Sequence, residues 1–464
     1  MAPKFGTSGL RGLVTELTPE LVQDYTVSFT QTCDTGGVVY VGWDLRPSSP
    51  DIARAVIAAV RAQGLTLCVA GVLPTPALAA AAAKAGAGAI MITGSHIPAD
   101  RNGLKFYTTQ GEISKADEAN ILAHLDSTRA WAEETPLPAS DEGALRDYVA
   151  RYAAAFGGDA LTGLTVGVYQ HSSVARDVMV EVVEALGGTA VPLGRTDTFT
   201  PVDTEAVDED TRSQFRDWCT ANGLDALIST DGDADRPMVT DHTGQVVPGD
   251  VLGALTARAL GASVICTPIS SNTMIEAMPA FTDIRLSRIG SPYVIAAMEE
   301  VLAGDAGAAV VGYEANGGFL LGFEAKGPTG ALAPLMTRDC LLPILCSLHA
   351  AKAAGQPLAD VVAALPPRFT AANRLTEVPT EASAKLIAAL RDDAAARAAF
   401  FETGSEASDI NTLDGLRVSF ANGDVVHLRP SGNAPELRCY AEASSAERAW
   451  DLVNTHLTKL RAMI

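Results

Sequence analysis

Basic residues are scarce in this 464-residue chain: 34 lysines and arginines stand against 55 aspartates and glutamates, for a formal net charge of -21. Such a balance repels any long polyanion, so nucleic acid is not expected as a partner. A small phosphorylated ligand would be repelled too, unless arginine and lysine gather locally. Cysteine is also sparse: Cys33, Cys68, Cys219, Cys266, Cys340, Cys346 and Cys439 are scattered and lack a C-x-x-C pair. They provide neither a disulfide frame nor a zinc site and read as reduced core thiols. No long hydrophobic run occurs; the most apolar stretch, Cys340 to Ala351, is short and broken by Pro343. With no apolar signal region in M-A-P-K-F-G-T-S-G-L-R-G, no membrane association and a cytoplasmic location are expected. Nucleotide motifs are missing as well. Gly86 and Gly88 are followed by Met91 where a dinucleotide fingerprint needs its third glycine, and neither G-x-x-x-x-G-K-[ST] nor G-x-S-x-G is present.

What is present is length enough for about three or four domains and a repeated grammar of apolar run, turn and alanine-rich helix. The first unit offers strands at Val38 to Trp43, Leu65 to Ala70 and Ala89 to Thr93, with helices near Ile52 to Gln63 and Ala77 to Ala85. The second offers Leu164 to Tyr169, Thr189 to Pro192 and Ala226 to Ser229; the third, Val264 to Thr267 and Ala308 to Gly312. Alternation of this kind predicts α/β domains with mixed, mostly parallel sheets. Past the proline-rich patch Leu365 to Arg368, closely spaced strands between two helices predict an α+β domain. The expected domains are 1–138, 139–247, 248–366 and 367–464.

Four loops carry chemistry. T-D-G-D-A-D-R, residues 230 to 236, sets Asp231, Asp233 and Asp235 on alternate positions at a strand end. Their repulsion is relieved by a cation, and hard oxygen ligands suit Mg2+ or Mn2+. A calcium EF-hand loop would need glycine sixth and glutamate twelfth, where Arg236 and His242 stand. The bland alternative is a solvated acidic turn. In G-S-H-I-P-A-D-R-N-G-L-K-F, residues 94 to 106, Ser95 sits at a strand end as a possible nucleophile, with His96 and Lys105 as proton carriers; it could equally be a helix cap. G-Y-E-A-N-G-G-F, residues 312 to 319, leaves Glu314 and Asn316 for a polyhydroxylated ligand, or is merely a hairpin turn. L-R-P-S-G-N-A-P-E-L-R, residues 428 to 438, gathers Arg429, Ser431, Gly432, Asn433 and Arg438 with Glu436 as the sole nearby carboxylate in the sequence, an arrangement suited to phosphate.

Taken in order, the opening F-G-T-S-G-L-R-G and these loops resemble the signatures of the α-D-phosphohexomutase superfamily across essentially the whole chain, most closely its bacterial phosphomannomutases. The resemblance implies a heart-shaped enzyme with a central cleft, three related α/β domains and a closing fourth. It implies a phosphoserine at Ser95, which with Asp231, Asp233 and Asp235 would hold one Mg2+. Arg11 and Arg236 would add positive charge, Lys105 would act as acid-base group with His96 assisting, and Lys105 would need a lowered pKa for that work. Glu314, Asn316, Arg288, Arg429, Ser431, Gly432, Asn433 and Arg438 would bind substrate. The implied reaction interconverts hexose 1- and 6-phosphates through a 1,6-bisphosphate, which is also the activator, in a monomer or homodimer.

Ile97, Asn316, Gly318 and the pair Asn433-Ala434 depart from the family's usual residues and put sugar preference in question. Ser8 stands where phosphoglucosamine mutases have aspartate, which favours mannose or glucose phosphates over glucosamine phosphates. A metal-dependent phosphatase and a non-catalytic sugar-phosphate binder are the competing readings.

Overall fold

The computed structural model describes residues 3–6, 9–401, 403–431 and 435–463. Three sheets in it share one strand plan. In the first, Val38–Trp43 pairs in parallel with Thr66–Val72 on one side and Gly88–Ile92 on the other. Gly88–Ile92 then pairs antiparallel with Arg101–Thr108, and that strand with Leu10–Leu13. The second sheet repeats the order with Thr165–His171 central, Thr189–Arg195 and Ala226–Thr230 parallel to it, and Pro237–Thr240 and Val246–Val247 antiparallel. In the third, Val264–Pro268 is central, Asp283–Ser287 and Val310–Tyr313 are parallel, and Phe319–Leu321 and Leu335–Asp339 antiparallel.

Each sheet is thus mixed, and not mostly parallel: the βαβ part is parallel, and at least as many pairings are antiparallel. Sequence periodicity does not disclose the antiparallel strands, because they are short or follow a hairpin without a helix between. The plan has a functional consequence. Loops 93–100, 231–236 and 314–318 each join the last parallel strand to the first antiparallel one, so three copies of one unit present three different loops at the same topological position.

The fourth sheet is wholly antiparallel, ordered Phe369–Thr376, Glu436–Ala443, Val425–Pro430, Leu416–Phe420, Ala407–Asn411. Helix Ala446–Arg461 buries Leu452, Val453, Leu457 and Leu460 against it, an i, i+4 apolar stripe capped by Ser445, whose hydroxyl accepts from the Arg448 amide.

Apolar burial is divided unevenly. A single core runs from Leu78 and Met91 through Tyr152, Val168 and Ile228 to Ile265, Tyr313 and Leu345, binding the first three sheets together, whereas the fourth keeps its own around Leu416, Val426 and Leu437. Inside the shared core, Asp339 accepts hydrogen bonds from the hydroxyls of Tyr148 and Tyr152, satisfying a carboxylate that would otherwise be costly to bury. All seven cysteines are free thiols, five of them buried. Among the described residues no helix is long and apolar enough to cross a membrane.

Candidate active site

Ser95 lies at the end of Gly88–Ile92 with φ at 54°, a left-handed conformation that a non-glycine residue adopts only when its surroundings enforce it. Arg46 enforces it. Its guanidinium donates to the carbonyls of Ser95 (2.8 Å), Ile97 (2.5 Å), Pro98 (2.7 Å) and Arg101 (2.9 Å), with Nε on Asp44 (3.2 Å) and the ring of Phe199 stacked 4.1 Å from its centre. Gly94 must be glycine here, since a Cβ would come within 2.6 Å of that guanidinium. Thr93 accepts from the Ser95 amide at 2.7 Å and donates to Asp44 at 2.8 Å, completing a closed scaffold.

So held, the Ser95 hydroxyl donates to Asp231 Oδ2 at 2.6 Å and lies 3.4 Å from His96 Nδ1. Asp231, Asp233 and Asp235 are buried, and each offers a carboxylate oxygen within 4.8 Å of the others. Oδ1 of Asp233 and Oδ1 of Asp235 are buried without a hydrogen-bond partner. Three hard anionic ligands with orphaned oxygens suit a divalent cation, so the residues fit the metal the motif implies. Burial and the two neighbouring carboxylates push Asp231 well above the ordinary carboxylate range. Asp233 is held below it: burial works upward, but Lys105 outweighs it.

Lys105 reaches this cluster because its strand folds back on Gly88–Ile92, setting Lys105 opposite Met91. Its ammonium lies 2.6 Å from Asp233 and 2.5 Å from Asp235. The lowered pKa that acid-base work asks of Lys105 is not supplied by the protein's own groups. Burial and Arg338 act downward, but the two carboxylates prevail and raise it. His96 is pushed well down, by burial first and then by Arg236 and Arg11, and is therefore neutral.

Around the aspartates stands a cationic wall. Arg236 approaches Asp231 and Asp235 only at 4.0 and 3.8 Å, and its Nε is buried without a hydrogen bond. Burial and the nearby Arg236 lower Arg11 to about 10, and no hydrogen bond among the described residues engages its side chain. Two guanidinium groups with unspent donors beside a serine hydroxyl form a site for an anion with several oxygens. Here is the local basic cluster that the acidic chain needs.

Glu314 and Asn316 enter from the third sheet, less free than their loop suggests. Glu314 Oε2 accepts from Arg338 at 3.2 Å and from the Asn316 amide at 3.4 Å, while Asn316 Oδ1 accepts from the Gly318 amide at 2.9 Å. Asn316 thus shapes the loop, and Glu314 keeps one oxygen for a ligand. In the fourth domain Arg429 donates to Asp414 at 2.8 Å, and Arg438 to Glu436 at 3.2 Å. The segment therefore has more acidic company than Glu436 alone. Ser431 is buried, its amide donating to the Glu436 carbonyl at 2.9 Å. Gly432 and Asn433 lie outside the described residues. Glu205 is within electrostatic reach of Arg236, Glu314 and Arg438 together, which places the fourth domain's arginine on the same space as the other loops. Arg288 is exposed, its Nε donating to the Leu413 carbonyl at 3.2 Å, so it joins the third domain to the fourth.

Three participants escape a reading of the loops. Arg338 bridges Asp235 (2.6 Å) and Glu314 (3.2 Å), tying the metal-type loop to the sugar-type loop. Thr75 fixes Asp233 through its hydroxyl (2.7 Å) and its amide (2.9 Å). Glu112 accepts from Ser291 (2.9 Å) and Thr337 (3.0 Å), joining the first domain to the third. A signal existed for Arg338, an Arg-Asp pair directly before the apolar stretch Cys340 to Cys346, whereas Thr75 and Glu112 carry none.

Comparison with known proteins fits this geometry. Residues 2–130, 146–244, 248–369 and 375–455 match, in turn, alpha/beta/alpha domains I, II and III and the C-terminal domain of phosphoglucomutase/phosphomannomutase. A phosphomannomutase of Sinorhizobium fredii is 43% identical over 473 residues, covering 100% of this chain and 99% of its own. One of Salmonella muenchen is 41% identical over 466 residues, covering 99% and 96%. The crystal structure of a phosphoglucomutase/phosphomannomutase family protein from Burkholderia thailandensis shares the fold, with a TM-score of 0.76 at 21% identity over 98% of this chain and 97% of that one. The chain belongs to the phosphoglucomutase/phosphomannomutase family. It is an isomerase, a mutase of hexose phosphates.

Proposed function

We propose that this mutase interconverts mannose 1-phosphate and mannose 6-phosphate through a phosphoserine at Ser95 and a 1,6-bisphosphate, which also serves as activator. The observation that carries the mechanism is the Ser95 hydroxyl at 2.6 Å from Asp231, with Arg11 and Arg236, whose guanidinium groups make no hydrogen bond among the described residues, beside it. The preference for mannose rests on the two relatives at 43% and 41% identity.

In the first half-reaction a sugar hydroxyl attacks the phosphorus of phosphorylated Ser95. The new sugar O–P bond forms as the Oγ–P bond breaks; the hydroxyl proton passes to the neutral imidazole of His96, while the Lys105 ammonium supplies a proton to the departing Oγ. The bisphosphate then presents its other phosphate, which returns to Ser95 by the same exchange in reverse. Arg11 and Arg236 bind the equatorial oxygens, and the Arg46 scaffold holds Oγ in line. Asp231, Asp233 and Asp235, with the phosphoserine, would hold Mg2+, which when bound supplies charge neutralisation on the transferred group. Glu314 would hold sugar hydroxyls common to both orientations, while Arg429, Ser431 and Arg438, with Gly432 and Asn433, grip the phosphate that is not reacting. The domain bounds are proposed as 1–138, 139–247, 248–366 and 367–464.

A coupled assay with mannose, glucose and glucosamine 1-phosphates, run beside a measurement of inorganic phosphate, tests the reading. Isomerisation fastest with mannose 1-phosphate is the expected result. Stoichiometric release of phosphate without isomerisation would identify a phosphatase instead.

A further inference from the structure

Arg429 and Arg438 are register partners on adjacent strands, where like charges facing each other repel. Arg438 is relieved from within its own strand by Glu436. Arg429 is relieved from farther away, by Asp414 in the turn between Ala407–Asn411 and Leu416–Phe420. That turn is firmly built. Asn411 Oδ1 accepts from the Leu413 amide (2.9 Å), His427 Nε2 lies 2.5 Å from the Asp414 carbonyl, and Gly415 turns at φ 87° where a Cβ would strike the Leu428 carbonyl at 2.2 Å.

Asp414 Oδ2 has a second partner, in another domain. It accepts from Nε of Arg429 at 2.8 Å and from the backbone amide of Ile289 at 3.0 Å, while the adjacent Leu413 carbonyl accepts from Arg288. One carboxylate oxygen therefore joins the third domain's turn at 287–290 to an arginine of the fourth.

We propose that Asp414 is a positioning residue for substrate binding: it orients Arg429 toward the phosphate that is not reacting, and makes that orientation depend on the docking of the 287–290 turn. The inference rests on the reading of Arg429 as a phosphate ligand. A guanidinium presents two hydrogen-bonding edges. With Nε engaged by the carboxylate, its plane is fixed, and Nη1 and Nη2 have no hydrogen bond among the described residues, leaving a fork that fits two phosphate oxygens. The Arg429 and Asp414 side chains are only 12% and 16% exposed, so the pair is sheltered enough for its geometry to persist. Because Ile289 shares the oxygen, separation of the third and fourth domains removes one of the two hydrogen bonds that orient the Asp414 carboxylate. Phosphate grip and domain docking are thereby one event.

The test is kinetic. D414N keeps the side chain's size and loses the charge; it should raise KM for mannose 1-phosphate and glucose 1-phosphate alike by about tenfold, with kcat within about threefold of wild type. D414E, which restores the carboxylate, should recover part of that loss. In an R429A background D414N should add almost nothing, since the two residues act on one phosphate. Thermal denaturation of each variant establishes that it is folded, and D414E against wild type carries the test should D414N not fold. An unchanged KM in D414N beside a raised KM in R429A would overturn the proposal while leaving the phosphate reading intact. Fully additive losses in the double variant would overturn it too. An unchanged KM in R429A would overturn the reading of Arg429 itself, and the proposal with it.

Discussion

The ammonium of Lys105 lies 2.6 Å from Oδ2 of Asp233, so a proton carrier from the first domain sits directly on a carboxylate that the cation site needs. Cation and ammonium claim the same negative charge. Replacing Lys105 with Met should therefore tighten Mg2+ binding by about 10- to 100-fold, the worth of one charge-assisted contact. Without Mg2+ the same variant should be less stable by about 3 to 5 kcal/mol, because buried carboxylates lose their counter-charge. Calorimetric titration with Mg2+ and urea denaturation with and without it check both outcomes. An unaltered affinity would show that Lys105 and the cation do not compete.

Ser95→Ala should abolish the phosphorylated fraction seen by intact-mass measurement and lower turnover by about three orders of magnitude or more. Wild-type turnover in this variant would refute the phosphoserine. Dephosphorylated wild-type enzyme should regain activity on addition of a hexose 1,6-bisphosphate, and Ser95→Ala should not.

Arg46 touches no reacting atom, yet four carbonyls of the serine loop hang from it. Arg46→Lys retains the charge and loses the fork, so Ser95 should drift from its line of attack and kcat fall by about 100-fold. The KM for hexose phosphates should move far less, because Arg46 takes no part in sugar or distal phosphate recognition. A raised KM with kcat preserved would place Arg46 in binding instead.

His171 supplies a pH test at the root of the aspartate loop. Its imidazole, bonded to the Thr230 carbonyl, is lowered by burial from 6.5 to about 4. A depressed pKa means that the unfolded chain takes up the proton first. Its contribution, about 3 kcal/mol, is complete above about pH 6.5, declines as pH falls and is lost below about pH 4. Asn at 171, which tolerates the positive φ of 27° there, should flatten the difference in denaturation free energy between about pH 7 and about pH 4. An identical pH slope in wild type and variant would sink this assignment.

Ser95, Asp231, Asp233, Asp235 and Glu314 could be read from the chain because each belongs to a short contiguous loop whose chemistry is complete in itself. Lys105 was legible for a related reason, since a hairpin carries it back within ten residues of Ser95. Arg338, Thr75 and Asp414 lie on strands, a helix start and a distant turn, and only tertiary packing brings them to the loops. The directions of the pKa shifts were hidden likewise. The rise at Lys105 was out of reach because the sequence shows which charges share a motif, not which of them share an ion pair. In the fold, helices and parallel strands followed from apolar periodicity, while short antiparallel strands, such as Leu10–Leu13 and Val246–Val247, were too brief to register.

The uneven division of apolar burial described above has a thermodynamic consequence. Three sheets that share one core should gain and lose structure together, whereas the fourth, with its own core around Leu416, Val426 and Leu437, has the makings of a separate cooperative unit. Melting of the whole chain would then be a sum of two transitions, and a single free energy of unfolding would describe neither. Ligands that bridge the two units would draw the transitions together by mass action, so the merging of two melting steps into one becomes a calorimetric signature of substrate capture.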